Sequence, residues 1–282
     1  MTYKTLTDQL DRLHKHSRQN SIGTKHRYYS GMRRFLRFVA DEFKLQKIAN
    51  IADKHLIAYV NHLKMKGCKP GYICTELCAI RYYHDQVDVC RPLTVKNAQL
   101  GVEPRQKIGN RAWTEEELAE IIAAALDAGK PWVADALILS RQLGLRIHEV
   151  VRLDRADAER VLRENELRVK GKGGLVRHIP LTKEAAAALS RSKQRVPRGA
   201  KLFVPPDRKG HQVIKEIQDF IRQHRQPRPI QLTFHGLRYT DAQENYNECL
   251  AAGKTKEDAE KETARRLGHR RPRVTRTYVG PF

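Results

Sequence analysis

Residues 166–181 carry the clearest strand pattern of the chain, whereas apolar residues elsewhere recur mainly at helical spacing. Apolar and polar residues alternate along the first half of this stretch, and a glycine-rich turn occupies residues 171–174. Val176 and Ile179 are expected on the returning strand. The pattern therefore predicts a mainly α-helical fold with a small β-hairpin in the C-terminal domain.

Residues 1–99 are predicted to form a helical N-terminal domain. Aromatic and aliphatic residues recur every three or four positions between residues 24 and 43, with lysines and arginines interleaved among them. Asp53 is expected to cap a second helix, and Pro70 suits the first turn of a third. The basic side chains suit contacts with phosphate groups, although a solvated face explains each of them singly.

Residues 100–111 lack periodicity, contain two glycines and a proline, and are predicted to be an interdomain linker. Thr114, with Glu117 three positions later, forms a capping-box pattern that starts the second domain, residues 112–282. Helical patterns lie on both sides of the hairpin, and residues 202–204 are predicted as a further short strand. The predicted arrangement is a helical domain followed by an α+β domain.

The chain is strongly basic, with 54 lysines and arginines against 32 acidic residues, a net charge of +22. Such an excess in a chain with 40% hydrophobic residues indicates a folded protein with a polyanionic partner. A basic protein without such a partner, or one that binds ribosomal RNA or acidic lipid, would have the same excess of positive charge. No apolar run approaches the length of a membrane span, and the N-terminus has no signal-peptide pattern. We therefore expect a cytoplasmic protein without a membrane partner.

Five cysteines without a secretory signal indicate a reducing compartment. Cys68, Cys74, Cys78 and Cys90 lie near His84, which would allow a zinc site, but no CxxC pair with metal-ligand spacing is present. Small buried thiols on a helix face explain these cysteines better. A carboxylate cluster suited to two catalytic metals is also missing from the sequence, and we expect neither a metal nor a cofactor.

Polar residues with catalytic potential fall at separated points of the second domain. Arg146 follows Gly144 and Leu145, and Glu149 lies three positions on, where it can orient the guanidinium. Lys172 lies at the tip of the hairpin, and His235 and Arg238 share one face of a helix start. Each has an ordinary explanation by itself: a helix-start salt bridge, a solvated turn lysine and an exposed arginine.

Residues 267–278, near the end of the chain, combine His269, a run of arginines and Tyr278. A tyrosine beside phosphate-binding groups is a candidate nucleophile towards phosphorus, because neighbouring cations favour the phenolate and also neutralise a phosphate. The plainer alternative is that Tyr278 fills the core with its ring while His269 caps a helix. Taken alone, this stretch favours the plainer alternative.

In their order along the chain, these motifs resemble those of the tyrosine recombinases, the phage integrase family. The resemblance rests on Leu-Arg-Ile-x-Glu at Arg146, Gly-Lys-Gly-x-x-x-Arg-x-Ile-Pro-Leu at Lys172 and His-x-x-Arg at His235. It also rests on Leu-Gly-His, whose histidine lies nine residues before Tyr278. The N-terminal helices are similar to the family's SAM-like core-binding domain, so the resemblance covers nearly the whole chain.

The resemblance implies an enzyme that cuts and rejoins duplex DNA through a 3′-phosphotyrosine intermediate. Two arginines would bind the non-bridging phosphate oxygens, and near neutral pH their charge is not lost by deprotonation. Two histidines would donate hydrogen bonds to the same oxygens or handle the tyrosine proton, and the hairpin lysine would protonate the leaving 5′-oxygen. The implied catalytic residues are Arg146, Lys172, His235, Arg238, His269 and Tyr278, with Glu149 as the orienting group.

The expected partners are double-stranded DNA, held between the two domains, and further copies of the chain, which by resemblance form a tetramer on paired sites. Integration or excision of a mobile element is the implied role. Only residues 279–282 follow the tyrosine. A tail helix that docks on a neighbouring subunit is therefore not expected, and the protein free in solution is expected to be a monomer.

Two features depart from the family pattern. Tyr239 stands where many members have a second histidine, so Tyr278 has a rival, and Tyr246 is another; the spacing from His269 favours Tyr278. The interval that leads to Tyr278 looks longer than in compact relatives, with extra residues around 251–262. A non-catalytic architectural relative and a topoisomerase IB-like enzyme, which would relax supercoils without paired sites, are the alternative functions.

Overall fold

The structure, a computed structural model, describes residues 2–17, 22–104, 109–171 and 174–280. The chain forms two compact units, residues 1–106 and residues 107–282. No helix in the described ranges is long and apolar enough to cross a membrane. Within the same ranges, no group of three or more metal-ligating side chains comes together.

The described part of the first unit consists of α-helices around one apolar core. Met32, Phe35 and Val39, which recur at helical spacing, are all fully buried. Pro70 opens the last of these helices, as predicted, because its fixed backbone angle suits a first helical turn. The helices are α1 (Thr2–Lys15), α2 (Ile22–Phe43), α3 (Asp53–Met65) and α4 (Pro70–His84), with a short 3₁₀-helix at Ile48–Asn50.

Asp53 does not cap α3, contrary to the prediction, and lies inside the helix. Its carboxylate accepts hydrogen bonds from Thr94 N at 3.1 Å and from Thr94 Oγ1 at 2.6 Å. These bonds hold the segment around Thr94, which the sequence predicts to be helical but which forms no helix in the structure. Pro92 lies in this segment, and a proline excludes its predecessor from the helical conformation. The helical prediction for residues 1–99 is therefore wrong between residues 85 and 99.

Leu100 and Val102 pack into the apolar core of the first unit. The Lys64 ammonium donates to Leu100 O at 2.7 Å, which fixes this part of the chain further. Residues 100–102 were predicted as the start of a linker. Because Leu100 and Val102 are buried, the packed part of the first unit extends beyond the boundary at residue 99 that the sequence predicts.

The second unit packs helices and one hairpin around α6, most of whose residues are buried. The Thr114–Glu117 capping box is confirmed, because Glu117 N donates to Thr114 Oγ1 at 3.2 Å and Thr114 N donates to Glu117 Oε2 at 2.9 Å. The elements are α5 (Glu115–Asp127), α6 (Pro131–Leu143), α7 (Ile147–Arg152), α8 (Arg155–Glu164), β1 (Glu166–Lys170), β2 (Val176–Pro180), α9 (Lys183–Gln194), α10 (Gly210–His224), α11 (Phe234–Ala251), α12 (Lys256–Leu267) and α13 (Arg276–Val279).

The predicted hairpin is present, with β1 and β2 antiparallel and Leu167 opposite Ile179. Val169 faces Arg177 on the same inward side of the pair, whereas Val176 is exposed on the outward side. Residues two apart in a strand share a face. Arg177, rather than Val176, therefore faces the core together with Ile179. The described ranges are mainly helical with one small antiparallel sheet, as the sequence predicts.

Two smaller predictions are wrong. Residues 202–204 form no strand, because only Lys201 pairs there, in an isolated bridge with Asp154. Leu202 and Phe203 are nevertheless buried, which explains the strand-like apolar run. Cys78 is exposed on α4 rather than buried.

Candidate active site

The first turn of α11 anchors the site. Gly236 approaches the segment before α5 so closely that a β carbon there would lie 2.6 Å from Trp113 Nε1. The same indole nitrogen donates to Thr233 O at 2.9 Å, just before the helix. The backbone at the start of α11 is therefore fixed. His235 and Arg238, three positions apart, project from it on one side.

Arg238 is fully buried and donates to two backbone carbonyls, Gly144 O after α6 and Leu267 O at the end of α12. Its Nη2 also lies 3.5 Å from His269 Nε2. Burial, reinforced by two neighbouring arginines, lowers the pKa of Arg238 to about 10, so the guanidinium stays charged at neutral pH. No carboxylate of the described residues pairs with it, and a buried cation in that state favours an anionic ligand.

Glu149 is the shared partner of two arginines. Arg177 donates to both carboxylate oxygens, at 3.1 and 2.7 Å, and Arg146 Nη1 donates to Oε1 at 2.9 Å. Burial alone would raise the pKa of Glu149, but the hydrogen bonds and charges of these arginines lower it to about 2. The carboxylate therefore stays ionised and fixes the Arg146 guanidinium, as the sequence predicts.

Gly268 turns the chain at the end of α12 and brings the next residue into the site. Its φ of +67° is the left-handed conformation that favours glycine, and a β carbon there would lie 3.2 Å from Arg177 Cδ. His269, the next residue, lies with its Nδ1 3.3 Å from Thr275 Oγ1. The turn therefore places the His269 ring between Arg238 and the segment that carries the tyrosine.

Tyr278 lies on the short helix α13 with only 7% of its surface exposed. Its hydroxyl is 3.2 Å from His235 Nε2, and its ring centroid is 5.1 Å from that of His269. A hydrogen bond of this length allows a proton to pass from the phenol to the imidazole. The nucleophile interpretation requires a polar neighbour for the hydroxyl, and this contact supplies one.

Contacts within the second unit hold the tyrosine segment. Gln243 Nε2 on α11 donates to Tyr278 O at 2.8 Å. Arg276 Nε donates to the carboxylate of Glu260 on α12 at 2.9 and 3.0 Å. The sequence alone predicts no role for the residues around 251–262. The Glu260 contact gives this stretch a structural one, as a support for the helix that carries Tyr278.

The rival tyrosines lie on α11. Tyr239 is buried, and its ring centroid is 4.4 Å from that of Tyr278, so it packs directly on the candidate nucleophile. Tyr246 is half-buried about two turns further along the same helix. His235 contacts the rings of both Tyr239 and Tyr278, with centroids 5.7 Å away in each case, and the Tyr278 hydroxyl lies 3.2 Å from His235 Nε2.

Both histidines are held neutral. Burial, followed by the positive charges of Arg238 and Arg146, lowers the pKa of His235 to about 4. The same causes lower the pKa of His269 to about 3. A neutral imidazole carries one donor and one acceptor nitrogen, so either ring can accept a hydrogen bond near neutral pH, and a neighbouring negative charge would be needed to raise its pKa enough for it to take a proton.

The structure brings Arg146, His235, Arg238, His269 and Tyr278 together with Glu149. Lys172 falls outside the described residues. Its neighbour Gly171 is described, and a β carbon on Gly171 would lie 3.4 Å from Arg177 Nη1 and 3.8 Å from Arg146 Nη1. Gly171, which follows β1 and immediately precedes Lys172, therefore lies beside the arginine cluster.

Arg177 is the residue of the site that the sequence analysis did not single out. It is 4% exposed and is bonded by both terminal nitrogens to Glu149. A usable signal was present, because Arg177 stands two positions before Ile179 on a strand, where an inward-facing residue is expected. A charged residue at such a position requires a buried partner of opposite charge.

The sequence model of the phage integrase family matches residues 111–281. No match was found among curated proteins. The whole chain is also similar to solved structures. A lambda integrase dimer bound to a COC′ core site has a TM-score of 0.69 and 20% identity, covering 98% of this chain and 95% of that chain.

The Tn1549 transposon integrase in complex with transposon right end DNA has a TM-score of 0.65 and 17% identity, covering 100% of this chain and 96% of that chain. A lambda integrase tetramer bound to a Holliday junction has a TM-score of 0.63 and 17% identity, covering 96% of this chain and 76% of that chain. At these identities the likeness shows a shared fold.

Proposed function

Because this chain belongs to the phage integrase family, the tyrosine recombinases, it is a site-specific DNA recombinase, and we propose that it cuts and rejoins DNA through Tyr278. The observation that carries the assignment of the nucleophile is the contact of the Tyr278 hydroxyl with His235 Nε2 at 3.2 Å. The same cluster holds Arg238, a buried cation without a carboxylate partner among the described residues. A phosphate group would supply the missing negative charge.

The reaction follows from these groups. Tyr278 Oη attacks the scissile phosphorus while its proton passes to His235 Nε2, whose low pKa the negative charge of the bound phosphate would raise. The bond from phosphorus to the 5′-oxygen breaks as the phosphotyrosine bond forms, and the 5′-oxygen takes up a proton. Arg146 and Arg238 bind the non-bridging oxygens, where negative charge grows during attack. The phosphotyrosine keeps the energy of the broken bond, so a second 5′-hydroxyl can reverse the step on a new strand.

Lys172 is our candidate for the acid that protonates the leaving 5′-oxygen. Two observations support this role: its place in the family motif, and the position of Gly171 beside the arginine cluster. His269 would donate a hydrogen bond to a non-bridging oxygen, and Glu149 would hold Arg146 in place through its ion pair. These residue roles are part of the proposal.

The two parts of the chain would divide the work. We propose residues 1–99, together with the packed residues 100–102, as a core-binding domain that contacts DNA phosphates through its lysines and arginines, the rest of residues 100–111 as a linker, and residues 112–282 as the catalytic domain. The similar lambda integrase structures are a dimer on a core site and a tetramer on a Holliday junction. By analogy, this chain would assemble as a tetramer on paired DNA sites.

Integration or excision of a mobile element is the proposed biological role, supported by the similar transposon and phage integrases. Structures of the Tn1549 integrase with circular intermediate DNA suggest the same type of substrate for this chain. Its location would be that of the DNA it acts on, which for a bacterial or phage-borne element is the cytoplasm.

A covalent-adduct assay tests the proposal. The protein is mixed with DNA from the ends of its own element, nicked so that the cleaved strand diffuses away, and then denatured. We expect a DNA-linked protein whose phosphotyrosine peptide contains Tyr278. Tyr278→Phe should form no adduct while DNA affinity stays nearly unchanged, because only the hydroxyl is lost. Tyr239→Phe is the matched control and should still form the adduct.

An adduct on another tyrosine, or cleavage by Tyr278→Phe, would overturn the assignment of the nucleophile. Tight DNA binding without an adduct would favour the architectural alternative. Relaxation of a supercoiled plasmid that lacks paired sites would favour the topoisomerase-like alternative, because a recombinase requires two sites to exchange strands.

A further inference from the structure

A cavity of about 340 Å³ adjoins the site on the side of α10. Arg146 and His235 form one wall of the cavity, and both also belong to the catalytic cluster. Ile221 and Phe234 supply apolar surface, and both are buried. A cavity of this size is within the range that binds small organic ligands. Because Arg146 lines the cavity, a ligand bound there would lie directly beside a phosphate held by Arg146.

The rim of this cavity is positively charged. Arg222 is 63% exposed, and its Nη2 lies 2.9 Å from Asp219 Oδ1. Asp219 also pairs with Lys215 at 2.6 Å, so two cations share one carboxylate and a net positive charge is left over. Arg225 donates from Nη1 to Leu232 O at 2.6 Å, and no carboxylate among the described residues pairs with it. The rim therefore suits a second anionic group.

The interior of the cavity contains a polar group that the catalytic mechanism does not use. His148 is half-buried and has no hydrogen-bond partner among the described residues. Burial, only partly opposed by the charge of Glu149, lowers its pKa, so the ring is neutral and offers one donor and one acceptor. Gln218 faces the same cavity and adds an amide with both functions. Such a surface, apolar with a few donors and acceptors, fits the sugar and base of a nucleotide.

We propose that this cavity is a subsite for the deoxynucleotide next to the scissile phosphate. The phosphate of that nucleotide would lie at Arg222 and Arg225, and its sugar and base edge would lie against the apolar surface, His148 and Gln218. Continuity of the DNA strand supports this placement, because the phosphate next to the one at Arg146 has to lie nearby. The inference rests on the proposed function, since it concerns the same substrate.

A chemical double-mutant experiment tests the rim. In the mapped cleavage site, each phosphate that flanks the scissile one is replaced singly by a neutral methylphosphonate. Binding of wild type, Arg222→Ala and Lys215→Ala is then measured at several salt concentrations. Lys215→Ala is the matched control, because Lys215 shares Asp219 with Arg222 but does not line the cavity.

We expect one methylphosphonate to weaken wild-type binding roughly tenfold. Arg222→Ala should lose a similar factor on natural DNA, with a salt dependence smaller by about 0.9 in log-log slope. It should then be insensitive to that methylphosphonate, because the contact is already gone. Lys215→Ala should keep the full sensitivity. Equal behaviour of the two variants, or a wild type insensitive at both flanking positions, would overturn the rim assignment.

His148→Ala tests the interior. Replacing the flanking nucleotide by an abasic one should slow wild-type adduct formation roughly tenfold, since base contacts of this kind contribute on this order. His148→Ala should discriminate clearly less between the two DNAs. Unchanged discrimination in this variant would refute the interior contacts.

Adduct formation at Tyr278 on unmodified DNA separates this inference from the proposed function. If that adduct forms and the variants behave like wild type, only the subsite is refuted. If no adduct forms with any variant or with wild type, the proposed function fails and the subsite fails with it.

Discussion

Glu149→Gln is the substitution that tests the arginine arrangement most directly. It keeps the shape of the side chain and removes the charge that Arg177 and Arg146 share. Arg177 is only 3% exposed in its side chain and would keep its charge in a buried position without an anion. Removing one partner of a buried ion pair costs more than removing both, because the other charge is left uncompensated.

The pKa of Glu149 sets the size of the effect. Its lowering from 4.5 to about 2 corresponds to about 3 kcal/mol of folding free energy at neutral pH. Losses of about 3–5 kcal/mol are usual when a buried pair loses one partner, which agrees with this figure. Because the folded-state pKa is the lower one, this stability is fully present above pH 4.5 and is lost as the pH falls through about 2. At pH 3, about 1 kcal/mol of it should be left.

Urea unfolding followed by tryptophan fluorescence measures this effect. The chain has two tryptophans, Trp113 and Trp132, and both belong to the second unit, so the signal reports on the unit that contains Glu149. Glu257→Gln is the matched control, because the Glu257 side chain is 75% exposed and its ion pair should contribute less than about 1 kcal/mol. A loss below about 1 kcal/mol for Glu149→Gln at pH 7, or a loss that does not shrink towards pH 3, would refute the reasoning.

Other substitutions test the rest of the cluster. Arg238→Lys keeps the charge but cannot serve two carbonyls and a phosphate together, so single-turnover adduct formation should fall on the order of 10²-fold or more; a normal rate would remove Arg238 from the site. Gly144→Ala would place a β carbon 2.2 Å from Asp241 Oδ2. It should lower the urea-unfolding free energy by about 2 kcal/mol more than Gly129→Ala, where a β carbon meets nothing within 4 Å. His269 has its pKa lowered from 6.5 to about 3, so the unfolded chain binds its proton first and stability should fall as the pH drops below 6.5. His269→Gln should flatten that dependence in urea unfolding between pH 7 and pH 5, and an unchanged slope would contradict the burial of this ring.

The features that were predictable from the sequence are those carried by local patterns. The hairpin, the Thr114–Glu117 capping box and the burial of Met32 and Phe35 all follow from spacing within a few residues. The segment after α4 was mispredicted because its structure depends on a distant carboxylate. Asp53 binds residue 94 rather than capping its own helix, and spacing alone cannot distinguish these two uses of an aspartate.

The described residues that the motifs propose for the site lie together in the structure, but their arrangement was not predictable from the sequence. Family motifs identified Arg238 and Glu149, yet only the packing of α11 against α6 and α12 directs Arg238 to the carbonyls at two helix ends. Arg177 stands in the same motif as Lys172, but the motif alone does not say whether this arginine faces solvent or the core. An inward-facing arginine on a strand is a local signal for a buried carboxylate, and Glu149 is that carboxylate.

In the proposed reaction, the charges of the cluster would favour the transition state. Arg146, Arg177 and Arg238 contribute three positive charges and Glu149 one negative charge, while the two histidines are neutral, so the cluster carries a net charge of +2. A phosphodiester brings one negative charge, and attack by the tyrosine adds further charge to its oxygens. The net charge of +2 therefore matches the pentacoordinate transition state, which carries more negative charge than the phosphodiester. Because Arg238 is held by backbone carbonyls rather than by a carboxylate, no ion pair among the described residues has to break before its charge can act on a bound phosphate.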